Sequence, residues 1–373
     1  MLETQKYLRA LGTLDDLAAR FFIKARVSDD LGVVCLNYSQ GLSPMAERIC
    51  QECRSLILEL GTWNVVSRSF FKFFNDGQAE ATAIDWSTAR VQEKLDGSLI
   101  MLYHWQGAWR FASRSVADAS GTVNDSKMTF RHLALKTLAE MGLTLEALTA
   151  DASPSHCFSF ELTTPENRVI VEQKHRRLTL IGAWDRDTLE EMGPSTVRLP
   201  GVDWVRQFDL QVDDAAALRE MASAFDPTEM EGYVVVDAAF ERIKIKNPLY
   251  VAASSFMGGL VTTKQQLTLV LDPAFDDVVP LLDPSSRERL VAVEQGLAQM
   301  TAAIAADYLS IAHLTPQREF AAEALKRTYS KLLFDLRKGV DVDESIRRMN
   351  IDSLVRWYDD HTIPDSTSAY VNA

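Results

Sequence analysis

The sequence predicts an α+β domain of antiparallel sheets with flanking helices, followed by an all-α C-terminal domain. Three observations carry that prediction. The chain has 373 residues, which is long for a single hydrophobic core. From about Gly32 to Lys246, short β-like runs follow one another without the strict helix alternation of a doubly wound sheet. After Pro248 the β signal disappears and helical periodicity takes over. A boundary is expected near 248–260, separating a domain of residues 1–250 from one of residues 251–373.

The first two dozen residues look helical, because YLRALGTLDDLAARFF carries spaced apolar positions. The β-like runs are then GVVCLNY, CRSLILEL, SLIMLYHW, AWRFASR, CFSFEL, RLTLIGAW, EGYVVV and ERIKIK. Helical stretches interrupt them near 126–150 and 212–224. In TPQREFAAEALKRTYSKLLFDLRK, Thr315 is placed to cap a helix that has Pro316 at its first position. Leu325, Tyr329, Leu332 and Leu336 then recur at helical spacing.

Hydrophobic residues make up 47% and charged residues 24%, with no repeat or Pro/Gly-rich tract, so disordered and fibrous classes are excluded. No uncharged apolar run approaches the ~18 residues of a membrane span, and the N-terminus lacks a basic segment followed by an apolar one. The chain reads as cytosolic. Cys50 and Cys53 form one C-x-x-C, but no second pair or nearby histidine completes a zinc site, so the four cysteines are expected to be buried thiols. The net charge of −13 argues against indiscriminate nucleic-acid binding and leaves room for a small basic cleft.

Three stretches carry chemistry. EKLDGSL contains K-x-D-G: either Asp96 and Gly97 supply the positive backbone angles of a hairpin with Lys94 in water, or Lys94 is a nucleophile. In RIKIK, strand alternation puts Ile243 and Ile245 on one face and Arg242, Lys244 and Lys246 on the other. Three cations on one face make a solvated edge or a phosphate clamp. Glu161 in FSFEL and Glu231 in MEGYVVV adjoin apolar residues, where a carboxylate is expensive without a partner. Each could be a structural ion pair or part of a site.

Taken together, KLDGS, FELTTPENRVIV, EGYVVV and IKIK appear in the order seen in covalent nucleotidyltransferases: ATP-dependent DNA and RNA ligases and mRNA capping enzymes. ECRSLILEL and SRSFFKFFN resemble the N-terminal elements of the bacteriophage-type ATP-dependent RNA ligase 1 family. The resemblance runs from about residue 32 to residue 256. Two departures stand out: Ser55 where that family usually has glycine, and Arg114 in FASRS where lysine is common.

The resemblance implies that residues 1–250 form a nucleotidyltransferase domain in which Lys94 attacks the α-phosphate of ATP to give lysyl-AMP and pyrophosphate. A lysine of pKa ~10.4 is only ~0.1% neutral at pH 7.4. Desolvation and the cations Lys244 and Lys246 are therefore expected to lower the Lys94 pKa, with Glu93 and Asp96 working against them, and the two cations to neutralise charge developing on phosphorus. By the same resemblance, Arg54, Lys72 and Arg114 reach the β- and γ-phosphates, and Glu231 organises the waters of a Mg²⁺ ion as its metal residue. Glu161 accepts from the ribose hydroxyls, and Phe160 walls the adenine. AMP would then pass to a 5′-phosphate on RNA, and a 3′-hydroxyl would displace it, in nicked tRNA if the phage family is the guide. A phage origin would make the location the host-cell cytoplasm.

DNA ligases and capping enzymes continue after this region into a small β-barrel, whereas residues 260–360 read as helical. That favours a helical C-terminal domain selecting the RNA. Within it, residues 326–338 carry five basic residues against one acid, as an RNA-backbone contact or a solvated face. A GTP-dependent capping-type guanylyltransferase and a non-catalytic nucleic-acid-binding module remain the alternatives.

Overall fold

A computed structural model describes residues 1–11, 13–124, 126–257, 262–272, 275–327 and 329–362. Thr328, within the basic stretch 326–338, and residues 363–373 of the expected helical domain lie outside the described residues. The chain forms two compact units, Met1–Tyr250 and the residues from Val251 on.

The first unit opens with helices Glu3–Leu11 and Leu14–Phe21. Fourteen strands follow among the described residues: β1 Ile23–Ser28, β2 Val33–Tyr38, β3 Arg54–Glu59, β4 Val65–Ser67, β5 Phe74–Asn75, β6 Arg90–Lys94, β7 Ser98–Trp105, β8 Ala108–Ser113, β9 His156–Thr163, β10 Arg177–Asp185, β11 Glu191–Met192, β12 Gln207–Phe208, β13 Gly232–Val236 and β14 Arg242–Lys246. They build three sheets, ordered β1-β2-β3-β4, β11-β10-β9-β7-β8 and β12-β6-β13-β14-β5. Every pairing is antiparallel except β14 with β5.

Strand alternation explains how the sheets stack. In β2, Val34 and Leu36 pack with Leu8, Leu17 and Phe21 of the N-terminal helices. Val33 and Cys35 point the other way, against Met101, Tyr103 and Cys157 of the second sheet. The far face of that second sheet buries Ile100, Leu102, Phe158 and Phe160 under helix Phe130–Glu140, through Leu133 and Leu138. In the third sheet, Val91, Tyr233, Val235, Ile243 and Ile245 pack on Leu218 of helix Ala215–Ser223. Each such buried aliphatic contributes ~1.5–3 kcal/mol. Period 2 then turns Gln92, Lys94, Val234, Lys244 and Lys246 to the opposite face. All four cysteines are buried and unpaired, as expected.

In the second unit the described secondary-structure elements are all helices, joined by turns. Its axis is the 28-residue helix Pro284–Ile311, capped by Asp283, whose side chain accepts from the backbone of Ser285 and Ser286. Leu290, Leu297, Met300 and Ile304 of that helix are buried, as are Leu267, Phe320, Leu332, Leu333 and Leu354 of the shorter helices. One expectation needs correction. Pro316 rather than Thr315 holds the cap position, and the stretch is two helices, Gln317–Ala324 and Ser330–Arg337, with turns between them. Leu325 is 69% exposed, so its helical spacing with Tyr329 is not a shared buried face. No helix among the described residues is long and apolar enough to cross a membrane.

Candidate active site

The polar face of the third sheet brings three lysines into two adjacent rows. In register, Lys94 of β6, Gly232 of β13 and Lys246 of β14 form one row, and Gln92, Val234 and Lys244 form the next. Gly232 has φ 144°, and a Cβ there would lie 2.2 Å from the carbonyl oxygen of Ile245, so a side chain is excluded. Glu231, just before it, is 3% exposed and bridges the row: Oε2 lies 2.8 Å from Lys94 Nζ and Oε1 lies 2.7 Å from Lys246 Nζ. Arg242 leaves the cationic group, because it pairs with Glu191. Lys244 makes no ion pair among the described residues; its Nζ stands 5.0 Å from the ring centroid of Phe73.

The K-x-D-G stretch is not an exposed hairpin. Neither Asp96 nor Gly97 has a positive φ. Gly97 is instead demanded by close approach, since a Cβ there would lie 2.3 Å from the Leu162 carbonyl oxygen. Asp96 is buried and accepts from the backbone N–H groups of Ile170 at 2.8 Å and Val171 at 2.7 Å and from the Tyr250 hydroxyl at 2.7 Å. Asn167, also buried, donates to Ser98 Oγ and to the Leu162 carbonyl. FELTTPENRVIV thus holds the lysine loop in place, a role that motif order alone did not assign to Asp96, Asn167 or Tyr250.

Arg54, Lys72 and Arg114 meet around a residue that sequence reasoning missed. Lys72 Nζ is 5.3 Å and Arg114 Cζ 5.4 Å from the ring centroid of Tyr38, at the end of β2. Burial alone would raise the Tyr38 pKa, but Lys72, Arg114 and Arg54 outweigh it and bring it down. Burial lowers the pKa of Arg54, and its Nη1 is buried with no hydrogen-bond partner among the described residues. Such a donor has the chemistry to meet an anion. Ser55 takes φ 61°, a conformation the family's usual glycine adopts freely; its backbone N–H donates to Asn37 Oδ1.

Glu161 faces the same cleft, and burial pushes its carboxyl up to about 7 against the pull of Lys94 and Arg54. Phe160 does not face it. Being adjacent to Glu161 on β9, it points to the opposite face and lies wholly buried in the core of the second sheet. The cleft, of about 170 Å³, takes its apolar walls from Phe70, Ile181, Val205 and Val234, with Gln92 as a polar group.

The electrostatics of Lys94 run opposite to expectation, and those of Lys244 are displaced the other way. Burial acts to lower the Lys94 pKa, but the Glu231 and Glu161 carboxylates outweigh it and the net direction is upward. Lys244, desolvated and crowded by Lys72, Lys94, Arg54 and Lys246, is pushed down to about 6. Glu231, expected to organise the waters of a Mg²⁺ ion, is engaged by lysines in this arrangement. Both Glu231 oxygens are taken by lysines, and no group of three or more His, Cys, Asp or Glu among the described residues is arranged to hold a metal ion.

Residues 52–250 match the RNA ligase family. A protein of Autographa californica nuclear polyhedrosis virus, named as a candidate bifunctional polynucleotide kinase/RNA ligase, is 27% identical over 303 residues, covering 75% of this chain and 42% of that protein. An RNA ligase of Rhodothermus phage RM378 is 26% identical over 304 residues, covering 65% of this chain and 68% of the phage protein. Among solved structures, an RNA ligase of Naegleria gruberi aligns at 16% identity with a TM-score of 0.35, over 44% of this chain and 51% of that one.

Proposed function

The chain belongs to the RNA ligase family, and from that premise we propose that it joins RNA ends carrying a 5′-phosphate and a 3′-hydroxyl, using ATP, through lysyl-AMP at Lys94 and an RNA-adenylate. The observation that carries this reading is the row in which buried Glu231 binds both Lys94 and Lys246, beside two basic side chains with no carboxylate partner among the described residues, Arg54 and Lys244, the latter ready to take up a proton when an anion binds. A triphosphate is the anion such a cluster accommodates. Adenosine would lie between Phe70, Ile181, Val205 and Val234, its ribose hydroxyls donating to Glu161 and its base edge meeting Gln92. Magnesium would enter as the counter-ion of the triphosphate, keeping its waters, since no group of three or more His, Cys, Asp or Glu among the described residues is arranged as a cage for it.

The ion pair with Glu231 keeps Lys94 protonated and unreactive in the free site. When Nζ turns from Glu231 toward the α-phosphorus, the contribution that raises its pKa is lost. Burial and the cations Lys244, Lys246 and Arg54 then favour the neutral amine. Having released one proton to solvent, Nζ attacks phosphorus, the phosphorus–oxygen bond to the β-phosphate breaks, pyrophosphate leaves toward Arg54, Lys72 and Arg114, and a second proton passes from nitrogen to solvent as the phosphoramidate forms. Catalysis is largely positioning and charge neutralisation. The second unit, in which the described secondary-structure elements are all helices, supports an RNA ligase over enzymes that continue into a β-barrel, and we assign it the choice of RNA, with breaks in structured RNA such as tRNA as the natural substrate.

The test is sealing. Single-stranded RNA labelled at its 5′-phosphate is incubated with ATP and Mg²⁺ and then treated with phosphatase. Label made phosphatase-resistant by ring closure or joining is the expected result. Label that stays fully removable, or that is protected equally well with GTP alone, rejects the proposal.

A further inference from the structure

Beside the nucleotide cleft lies a second cavity, of about 320 Å³, which shares Phe70, Phe73 and Arg242 with it. The chemistry above touches this cavity only at its edge, through Phe70 and Lys72. Its walls are chiefly aromatic and cationic; of its three acids, Glu80, Glu191 and Glu241, Glu191 is paired with Arg242. The guanidinium carbons of Arg48 and Arg68 each lie 4.1 Å from the ring centroid of Phe71. The Arg48 side chain is 52% exposed, so one face of this stack is open. Phe240 lines the same space from a left-handed backbone of φ 63°, a conformation that costs a bulky residue ~1 kcal/mol or more. Lys72 is a further wall.

What this space receives follows from displacement at phosphorus. In the first step Lys94 attacks and pyrophosphate leaves on the far side, roughly in line. In the second, the entering and leaving groups exchange places. An oxygen of the RNA 5′-phosphate attacks the α-phosphorus of lysyl-AMP, a phosphorus–oxygen bond forms and the phosphorus–nitrogen bond breaks. That electron pair returns to Nζ, which takes a proton from solvent, and the RNA end becomes a 5′–5′ adenylate. The attacking phosphate therefore enters where pyrophosphate left, among Arg54, Lys72 and Arg114; burial, and then the nearby charges of Lys72 and Arg54 among others, depress Lys244 beside them. Lys72 belongs to that group and to the wall of the second cavity, and Phe73 stands under Lys244 between the two spaces.

We propose that this cavity binds the 5′-terminal nucleoside of the RNA strand that accepts AMP, with its base against the Arg48–Phe71 stack. Aromatic and guanidinium planes bind unpaired bases in a sequence-tolerant way, which suits a ligase that must accept many ends. The inference rests on the adenylyl transfer proposed above.

The test separates the two. Adenylylated protein is prepared with ATP labelled at the α-phosphate, freed of nucleotide, and discharged either with inorganic pyrophosphate or with a 5′-phosphorylated RNA oligonucleotide. Pyrophosphate needs the phosphate site alone, whereas RNA also needs the cavity. For Arg48→Ala and the milder Phe71→Leu, the ratio of RNA discharge to pyrophosphate discharge should fall roughly tenfold at subsaturating RNA. An RNA whose first residue is abasic should discharge wild type and variants alike. An unchanged ratio, or an equal loss with both acceptors, overturns the cavity assignment. Failure of the wild-type protein to form any adenylate would overturn the proposed function itself and this inference with it.

Discussion

An amine-reactivity experiment on the free protein interrogates the site's charge pattern directly. Lys244 has a pKa near 6, so at pH 7 about 90% of it is neutral amine. Lys94 is held above its ordinary 10.5 by Glu231, which leaves less than about 0.03% neutral at the same pH. The free-amine fractions therefore differ by more than about 3000-fold in favour of Lys244. A less basic amine is also a weaker nucleophile. With a Brønsted slope of roughly 0.4–0.5, the gap in basicity returns only part of this, about a factor of 100 were Lys94 at its ordinary pKa. Lys244 should then be modified at least about 30 times faster by a small reagent such as acetic anhydride in a short pulse at pH 7. Both side chains are partly exposed, so access does not reverse the order. Peptide mapping reads each site, and the gap should narrow as pH rises, because only Lys94 gains free amine. Lys94 labelled first at pH 7 would refute the assignment of Glu231 as the group that keeps it protonated.

Three further outcomes are expected. Nucleotide binding should take up a proton, because Lys244 is neutral in the free site above about pH 6 and positive beside a phosphate. ATP affinity should accordingly weaken with rising pH, by a factor approaching tenfold per unit, and Lys244→Arg should flatten that dependence in titration calorimetry. Asp96→Ala removes three buried hydrogen bonds to a carboxylate and should cost about 3–5 kcal/mol in denaturant unfolding of the first unit, against about 1–2 kcal/mol for Tyr250→Phe. Gly97→Ala would set a Cβ 2.3 Å from the Leu162 carbonyl oxygen; it should destabilise more than Gly121→Ala, whose Cβ meets a side chain at an ordinary 3.4 Å.

Strand alternation and motif order together made much of this legible. The period of RIKIK correctly placed Lys244 and Lys246 on one face, and it could have excluded Phe160, since neighbours on a strand cannot both face a cleft that takes Glu161. Arg242 shows the limit of that reasoning: it shares the face but is withdrawn by Glu191, 51 residues earlier in the chain. The Lys94 pKa was misjudged for a related reason. Glu231 was read as a metal residue, and that both its oxygens would reach lysines depends on a row across three strands, with Gly232 between them. Tyr38, Ile181 and Val205 come from distant segments with no distinguishing local pattern, and the demand for glycine at 97 arises from the Leu162 carbonyl on another strand.

The central claim is that Lys94 becomes covalently adenylylated. Incubation with Mg²⁺ and ATP labelled at the α-phosphate, followed by denaturing electrophoresis and peptide mapping, should place the label on the peptide containing Lys94. Lys94→Ala should take up none. Label on a different peptide, or robust labelling of the Lys94→Ala variant, would contradict the account.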